Sequence, residues 1–369
     1  MSTADLAAPR SLFILSPTKD FLFFFLSVTA VLFAWLAATV FKVPGFYILA
    51  TVAVISNGPH LISTWTRVYF DAREWKRQPF LLIGVPLLIA GFVVFANLAL
   101  GTTGTRILNS AILYWATWHF VAQNWGILRI YQRKSGEPET SLAMRVEKPL
   151  LMVFVLWCLL HRIHIGPRVL FGYEVFWVPL PGAVVNGLLG PVAFLLAVYL
   201  FDRFRNRNQP WAKAAWLRAA FLGCAAIGFF VPFHFITTDD TSAFAAAACW
   251  HGFQYLGIVR HYHRSTWKAG VDPDAKIVSW LGQPGYLRGT LYFAFLLAMA
   301  GAVYAVIYAG AFVTRGKGWD AYTWGGVVWV SLTLSHYWLD GVIWKLRRPE
   351  LASRVGIEVP AAAAAATEA

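Results

Sequence analysis

The stretch Tyr114-Trp115-Ala116-Thr117-Trp118-His119-Phe120-Val121-Ala122-Gln123-Asn124-Trp125-Gly126-Ile127-Leu128-Arg129 is apolar except for one histidine, two amides and a closing arginine. Residues four apart share a helix face, so His119 and Gln123 form a polar stripe on an otherwise apolar helix. A close copy recurs at Trp250-His251-Gly252-Phe253-Gln254-Tyr255-Leu256-Gly257-Ile258-Val259-Arg260. Two more segments carry a lone histidine in the same way: Pro59-His60-Leu61-Ile62-Ser63-Thr64-Trp65-Thr66-Arg67 and Ser335-His336-Tyr337-Trp338-Leu339-Asp340-Gly341-Val342-Ile343-Trp344-Lys345.

These segments lie in a chain of 369 residues that is 58% hydrophobic and 13% charged, with mean hydropathy +0.57. Soluble domains carry about 25% charged residues, so the expected fold is all-α, a polytopic integral membrane helical bundle. Apolar runs near the ~20 residues needed to cross a bilayer predict about ten transmembrane helices: 21–41, 45–66, 80–100, 107–129, 148–166, 183–203, 214–236, 242–262, 287–313 and 322–345. If each crosses, all of the 31 Lys and Arg fall on one side except Lys42, Arg106, Arg162, Arg168, Arg315 and Lys317. That bias places both termini in the cytoplasm. It also reads the net charge of +13 as topology signal and contact with membrane lipids, with no nucleic acid partner. The run 21–41 is too long for a cleaved signal and reads as a retained first helix. Cys158, Cys224 and Cys249 form no disulfide or zinc-ribbon spacing. The expected organisation is a cytoplasmic segment 1–20, one membrane domain 21–348 and a disordered Ala-rich cytoplasmic tail 349–369. The expected location is a bacterial inner membrane. Residues 167–182 read as an outer interfacial segment and 265–285 as an inner surface-lying one.

Under this topology His60, His119, His251 and His336 sit on helices running the same way. Each precedes a basic helix end, Arg67, Arg129, Arg260 or Lys345, by roughly 10–15 Å of helix rise. Four imidazoles at one depth in a bilayer are expensive unless they face inward together. Neutral imidazole is the commonest metal ligand, and its second nitrogen wants a hydrogen-bond partner. The four histidines are therefore the expected metal ligands, with Asp340 a candidate fifth ligand and Tyr255, Gln123, Gln254 and Thr64 candidate partners. Asp340, Tyr255, Gln123 and Gln254 are the candidate catalytic side chains. Imidazoles with one carboxylate and no thiolate suit iron, with zinc or copper as alternatives. The competing reading of each lone histidine is a helix-to-helix hydrogen bond. His161, His164 and His234 map to the outer side, where a second site is a weaker expectation, and His261 and His263 to the inner surface.

Pro59-His60, Trp118-His119-Phe120 and Trp250-His251 resemble, in order, motifs of the membrane-bound carotene-cleaving dioxygenases of the Brp/Blh family. The resemblance covers short motifs only. It implies a polytopic helical fold, iron held by four histidines, and oxidative cleavage of an isoprenoid chain. Where that family has a histidine one turn after Trp-His, this chain has Tyr255, and His336 must serve from another helix. Its acidic residues correspond to Ser63/Thr64 and Gln123/Asn124 here. The expected function is a metal-dependent oxygenase acting on a hydrophobic small molecule or lipid. Trp250-His251-Gly252 also looks like the Trp-His-Gly of membrane-bound O-acyltransferases, with His251 as general base. A transporter or ion-binding protein with a midplane site is a third reading.

Overall fold

The structure, a computed structural model, describes residues 11–237, 240–313, 321–346 and 348–357. Arg10, Arg315, Lys317, Arg347 and the alanine-rich segment 358–369 lie outside the described residues. Among the described residues the regular structure is helical apart from one hairpin of two short strands, β1 Val169–Leu170 with β2 Tyr173–Glu174. Ten long helical segments account for most of it: α1 Pro17–Thr39, α2 Gly45–Val68, α3 (80–100), α4 (102–135), α5 Leu142–Ile165, α6 Gly182–Arg205, α7 Ala212–Phe235, α8 Asp240–Thr266, α9 Tyr286–Val313 and α10 Ala321–Ile343. By length and composition six helical stretches can cross a membrane: α1, α2, α3 with α4, α6, α7 and α9. They leave large apolar side chains exposed, such as Phe33, Phe194 and Phe312. This is a helical membrane protein.

The α3–α4 boundary is set by Gly101, whose φ of 52° and ψ of −128° break an otherwise continuous helix. The chain folds back there. A Cβ placed on Gly104 would collide with the carbonyl of Ala96, although eight residues of unbroken helix would separate them by about 12 Å. In α2 the break is gentler. Pro59 has no N–H to donate, and a π-helical turn, Ala53–Asn57, precedes it before regular helix resumes at Gly58. His60 stands directly after that widened turn.

Helix α8 is the axis of the molecule. From Ser242 to Val259 every residue but Phe253 is buried, and α8 packs against α1, α2, α4 and α7. A helix wrapped by protein can carry polar residues that a lipid-facing helix cannot, which is why α8 is less apolar than its neighbours. In lipid the hydrophobic effect does little to drive helix against helix, so close approach depends on small residues. The run Ala245–Ala248 supplies them, and three glycine contacts extend it. A Cβ on Gly252 would strike Ser56 of α2, one on Gly228 of α7 would meet the Trp250 ring at 2.5 Å, and one on Gly257 would meet Phe23 of α1 at 2.9 Å.

The four histidine-bearing helices run in one direction. Their basic ends gather: Arg354 donates to the Tyr262 hydroxyl at 2.6 Å, Arg67 stacks on the Tyr262 ring at 4.1 Å, and Lys134 donates to the Gly356 carbonyl at 3.2 Å. At the far end Arg106 pairs with Glu174 at 3.0 Å and Arg162 with Asp240 at 2.5 Å. Residues 349–357, expected in a disordered tail, instead hold the helix Pro349–Arg354, with Leu351, Ala352, Val355 and Ile357 buried. Their apolar side chains find a seat at the basic end of the bundle. The segment 265–285 contains the helix Lys276–Gly282, laid against the bundle through Val278 and Leu281.

Candidate metal centre

His60, His119, His251 and His336 meet at the centre of this bundle. Each offers one ring nitrogen, and these four atoms lie within 4.8 Å of one another. All four residues are buried, at 2%, 6%, 2% and 2% exposure. Ring centroids trace a closed circuit: His60 to His251 is 4.7 Å, His251 to His119 4.8 Å, His119 to His336 4.9 Å and His336 to His60 4.4 Å. The diagonal from His60 to His119 is 6.3 Å. That diagonal is longer than the four sides, so the ring centroids depart from a regular tetrahedron. Neighbouring rings are turned 72° to 81° to each other, edge against face.

The ring nitrogens test whether this is only packing. His60 Nδ1, His119 Nε2, His336 Nε2 and both nitrogens of His251 are buried without a hydrogen-bond partner among the described residues. A buried polar atom left unpaired costs about 1–3 kcal/mol. Four imidazoles turning such atoms toward one point fit a shared cation, and helix-to-helix hydrogen bonds would have paired them. Among the described residues this is the one group of three or more His, Cys, Asp and Glu whose ligand atoms converge so closely.

The surrounding hydrogen bonds fix one ring. His336 Nδ1 lies 2.8 Å from Thr64 Oγ1, which donates to Asp340 Oδ1 at 3.1 Å. Tyr255 also donates to Asp340 Oδ1, at 2.6 Å, and receives the Trp344 indole N–H at 3.0 Å. If Asp340 takes the threonine proton, the Thr64 oxygen accepts the N–H of His336 Nδ1, which leaves Nε2 as the ligand atom. The other carboxylate oxygen, Oδ2, lies 3.7 Å from both His119 Nε2 and His336 Nε2. It is beyond hydrogen-bond length from either, yet faces the same centre.

The residues one turn after three of the histidines, Thr64, Tyr255 and Asp340, are hydrogen-bonded to one another, and Thr64 reaches His336 of another helix rather than His60 of its own. The two glutamines behave differently. Gln123 Nε2 donates to the His251 carbonyl and to Gln254 Oε1, both at 2.9 Å, and Gln254 Nε2 donates to Asn124 Oδ1 at 3.2 Å. These amides clasp α4 to α8, and their hydrogen bonds go to backbone and to each other, away from the imidazole rings. His161 and His234 stack face to face at 4.1 Å and 9°, and His164 lies against Gly182. His263, expected at the inner surface, is 1% exposed and sits 3.0 Å from Thr66 Oγ1.

Two cavities adjoin the centre. One, about 600 Å³, is bordered by His119, Tyr255 and Asp340 and by the aromatic side chains Trp115, Tyr337 and Trp338. The other, about 20 Å³, touches His60, His251 and His336 and has room for one water-sized molecule. The centre therefore adjoins both a large cavity and a niche the size of one water molecule. No protein family, curated protein or solved structure matches the chain.

Proposed function

We propose that this chain is a membrane-embedded, transition-metal-dependent oxidoreductase acting on a hydrophobic substrate beside its four histidines. The observation that carries this is the convergence of His60, His119, His251 and His336 with ring nitrogens lacking any other partner. Nitrogen donors with a nearby carboxylate and no thiolate suit iron, with copper and zinc next. A bound redox metal would supply dioxygen activation. The protein residues do the rest: Thr64 and Tyr255 hold Asp340, Thr64 orients His336, and the aromatic cavity excludes water and places an apolar chain against His119. The motif resemblance extends the proposal to oxidative cleavage of an isoprenoid-type chain.

O-acyl transfer by His251 is disfavoured by geometry. His119, Tyr255 and Asp340 border the large cavity, while His251 borders only the 20 Å³ niche, which has no room for an acyl donor.

The test is elemental analysis of detergent-purified protein, wild type and with each histidine replaced by alanine. About one transition-metal ion per chain is expected in the wild type and much less in each of the four variants. His161→Ala should retain the ion. Folded, metal-free protein that turns over an apolar substrate would sink the proposal.

A further inference from the structure

The large cavity is not uniform along its length. On α4 its wall is one helical stripe, running from His119 through Ala122 and Gly126 to Ile130, about 16 Å of rise. The deep end is apolar and aromatic apart from the histidine, Gln123 and the Asp340–Tyr255 pair. The other end is bordered by Lys345 and Arg348. Among the described residues neither cation makes a side-chain hydrogen bond or ion pair. Asp340 is the only acid on the wall, and its Oδ1 is already engaged by Thr64 and Tyr255 at the opposite end. The space is therefore a long apolar slot with two unpaired positive charges at its mouth.

Two glycines reinforce this reading. Gly126 of α4 and Gly341 of α10 both border the cavity, and a Cβ on either would meet nothing within 4 Å. Each glycine costs a helix interior about 1 kcal/mol relative to alanine. Among the described residues no atom fills the space beside them, which leaves the cavity its width at these two positions. The volume of about 600 Å³ falls among pockets for a single small ligand.

We propose that this cavity binds a single-chain lipid with an anionic head, the head held by Lys345 and Arg348 and the chain lying past Gly126 to bring its interior carbons to His119. This deepens the oxidoreductase reading by naming its substrate class, and it rests on that reading only for the chemistry at the deep end. Binding itself needs no metal.

The experiment measures binding of radiolabelled palmitate to the full-length protein in a neutral detergent. Hexadecanol, hexadecyl phosphate and phosphatidylglycerol serve as competitors. Palmitate should bind at least tenfold more tightly than hexadecanol, which has the same chain without the charge. Lys345→Gln with Arg348→Gln should weaken palmitate roughly tenfold and leave hexadecanol unchanged. Gly126→Leu, which fills open space, should abolish binding of both. Tighter binding of hexadecyl phosphate than of palmitate would support the proposal and assign the head as phosphate; the reverse would assign a carboxylate. Equal binding of the alcohol, unchanged binding in Gly126→Leu, or equally effective competition by two-chain phosphatidylglycerol would overturn it. His60→Ala separates the two readings: it should lose metal and keep palmitate. Metal retained in the wild type and lost in His60→Ala, with no palmitate binding in either, would end this inference and leave the metal centre standing.

Discussion

Thr64 shows how finely the centre is set at the level of single side chains. Its hydroxyl lies 2.8 Å from His336 Nδ1, 2.8 Å from the Tyr255 hydroxyl and 3.1 Å from Asp340 Oδ1, so one small group joins a ligand ring to the buried acid. Thr64→Val keeps the shape and removes the hydroxyl. His336 can then turn its N–H toward the wrong side, and Asp340 loses a donor. Loss of such an outer hydrogen bond typically costs 10–100-fold in metal affinity. The expected outcome is a loss of about that size in chelator competition, with Thr64→Ser within a few-fold of wild type. Equal affinity in the valine variant would show that the ring needs no such partner. Much of this network is legible in the sequence, because a four-residue offset on a helix puts two side chains on one face. Offset alone does not say which helix that face meets. Gln123 obeys the same spacing from His119, yet its amide is drawn to the His251 carbonyl and Gln254 across the α4–α8 contact.

At the level of helices, the distance between α2 and α8 governs the gap between His60 and His251, and Gly252 sets that distance. It stands one residue from His251 and directly over Ser56, whose hydroxyl donates to the Cys249 carbonyl at 2.9 Å. Gly252→Val would force α8 away from α2 and widen the 4.7 Å gap between the His60 and His251 rings. Overpacking of this kind costs about 1–3 kcal/mol. The variant should show a lower unfolding temperature in detergent together with reduced metal content. Gly223→Val on α7, where an added Cβ meets nothing within 4 Å, is the control and should keep its metal. A fully metallated Gly252→Val protein would show that the centre tolerates helix separation. Helix positions were readable because apolar runs of bilayer length have few other uses. The reversal at Gly101 was readable only as a gap between runs, since its cause is a backbone angle. The folding of Pro349–Arg354 was hidden because six residues carry no periodic signal; Leu351 and Val355 are buried by a surface that exists only once α4 and α8 are assembled.

Across the whole molecule, charge does two jobs that the sequence presents as one. Clusters of Lys and Arg between apolar runs read as solvated topology signals, but Arg203 and Arg218 are buried with Glu137 and Glu147. Arg203 holds Glu137 at 2.8 Å and Arg218 holds Glu147 at 3.0 Å, with Arg218 also on Glu137. Burial works against ionisation of Glu137, which lies between α4 and α5, but the Arg203 and Arg218 guanidiniums prevail and keep its carboxyl below its ordinary 4.5. A depressed carboxylate contributes stability above its unfolded pKa and loses that contribution as pH falls through the lower folded value. The unfolding temperature should therefore drop as pH is lowered below about 4.5. Glu137→Gln should be less stable at pH 7 by about 3–5 kcal/mol, because it leaves two buried cations short of a partner. Its dependence on acid pH should also be shallower, and an unchanged slope would exclude Glu137 as a source. The orientation of the bundle belongs to the same scale. The ends of α2, α4, α8 and α10 meet in one basic layer, through Arg67, Lys134, Arg354 and Tyr262. The opposite layer holds Arg106 and Arg162 already paired with Glu174 and Asp240. Since basic residues are retained on the cytoplasmic side, the proposed arrangement has ten crossings with the histidine helices running inward. Glu139 and Glu174 are both exposed and lie in opposite layers, so they report on this directly. In intact cells a membrane-impermeant maleimide should label Glu174→Cys and leave Glu139→Cys unlabelled until the cells are opened. The inverse pattern would turn the molecule over and put Lys345 and Arg348, with the mouth of the cavity, at the outer leaflet.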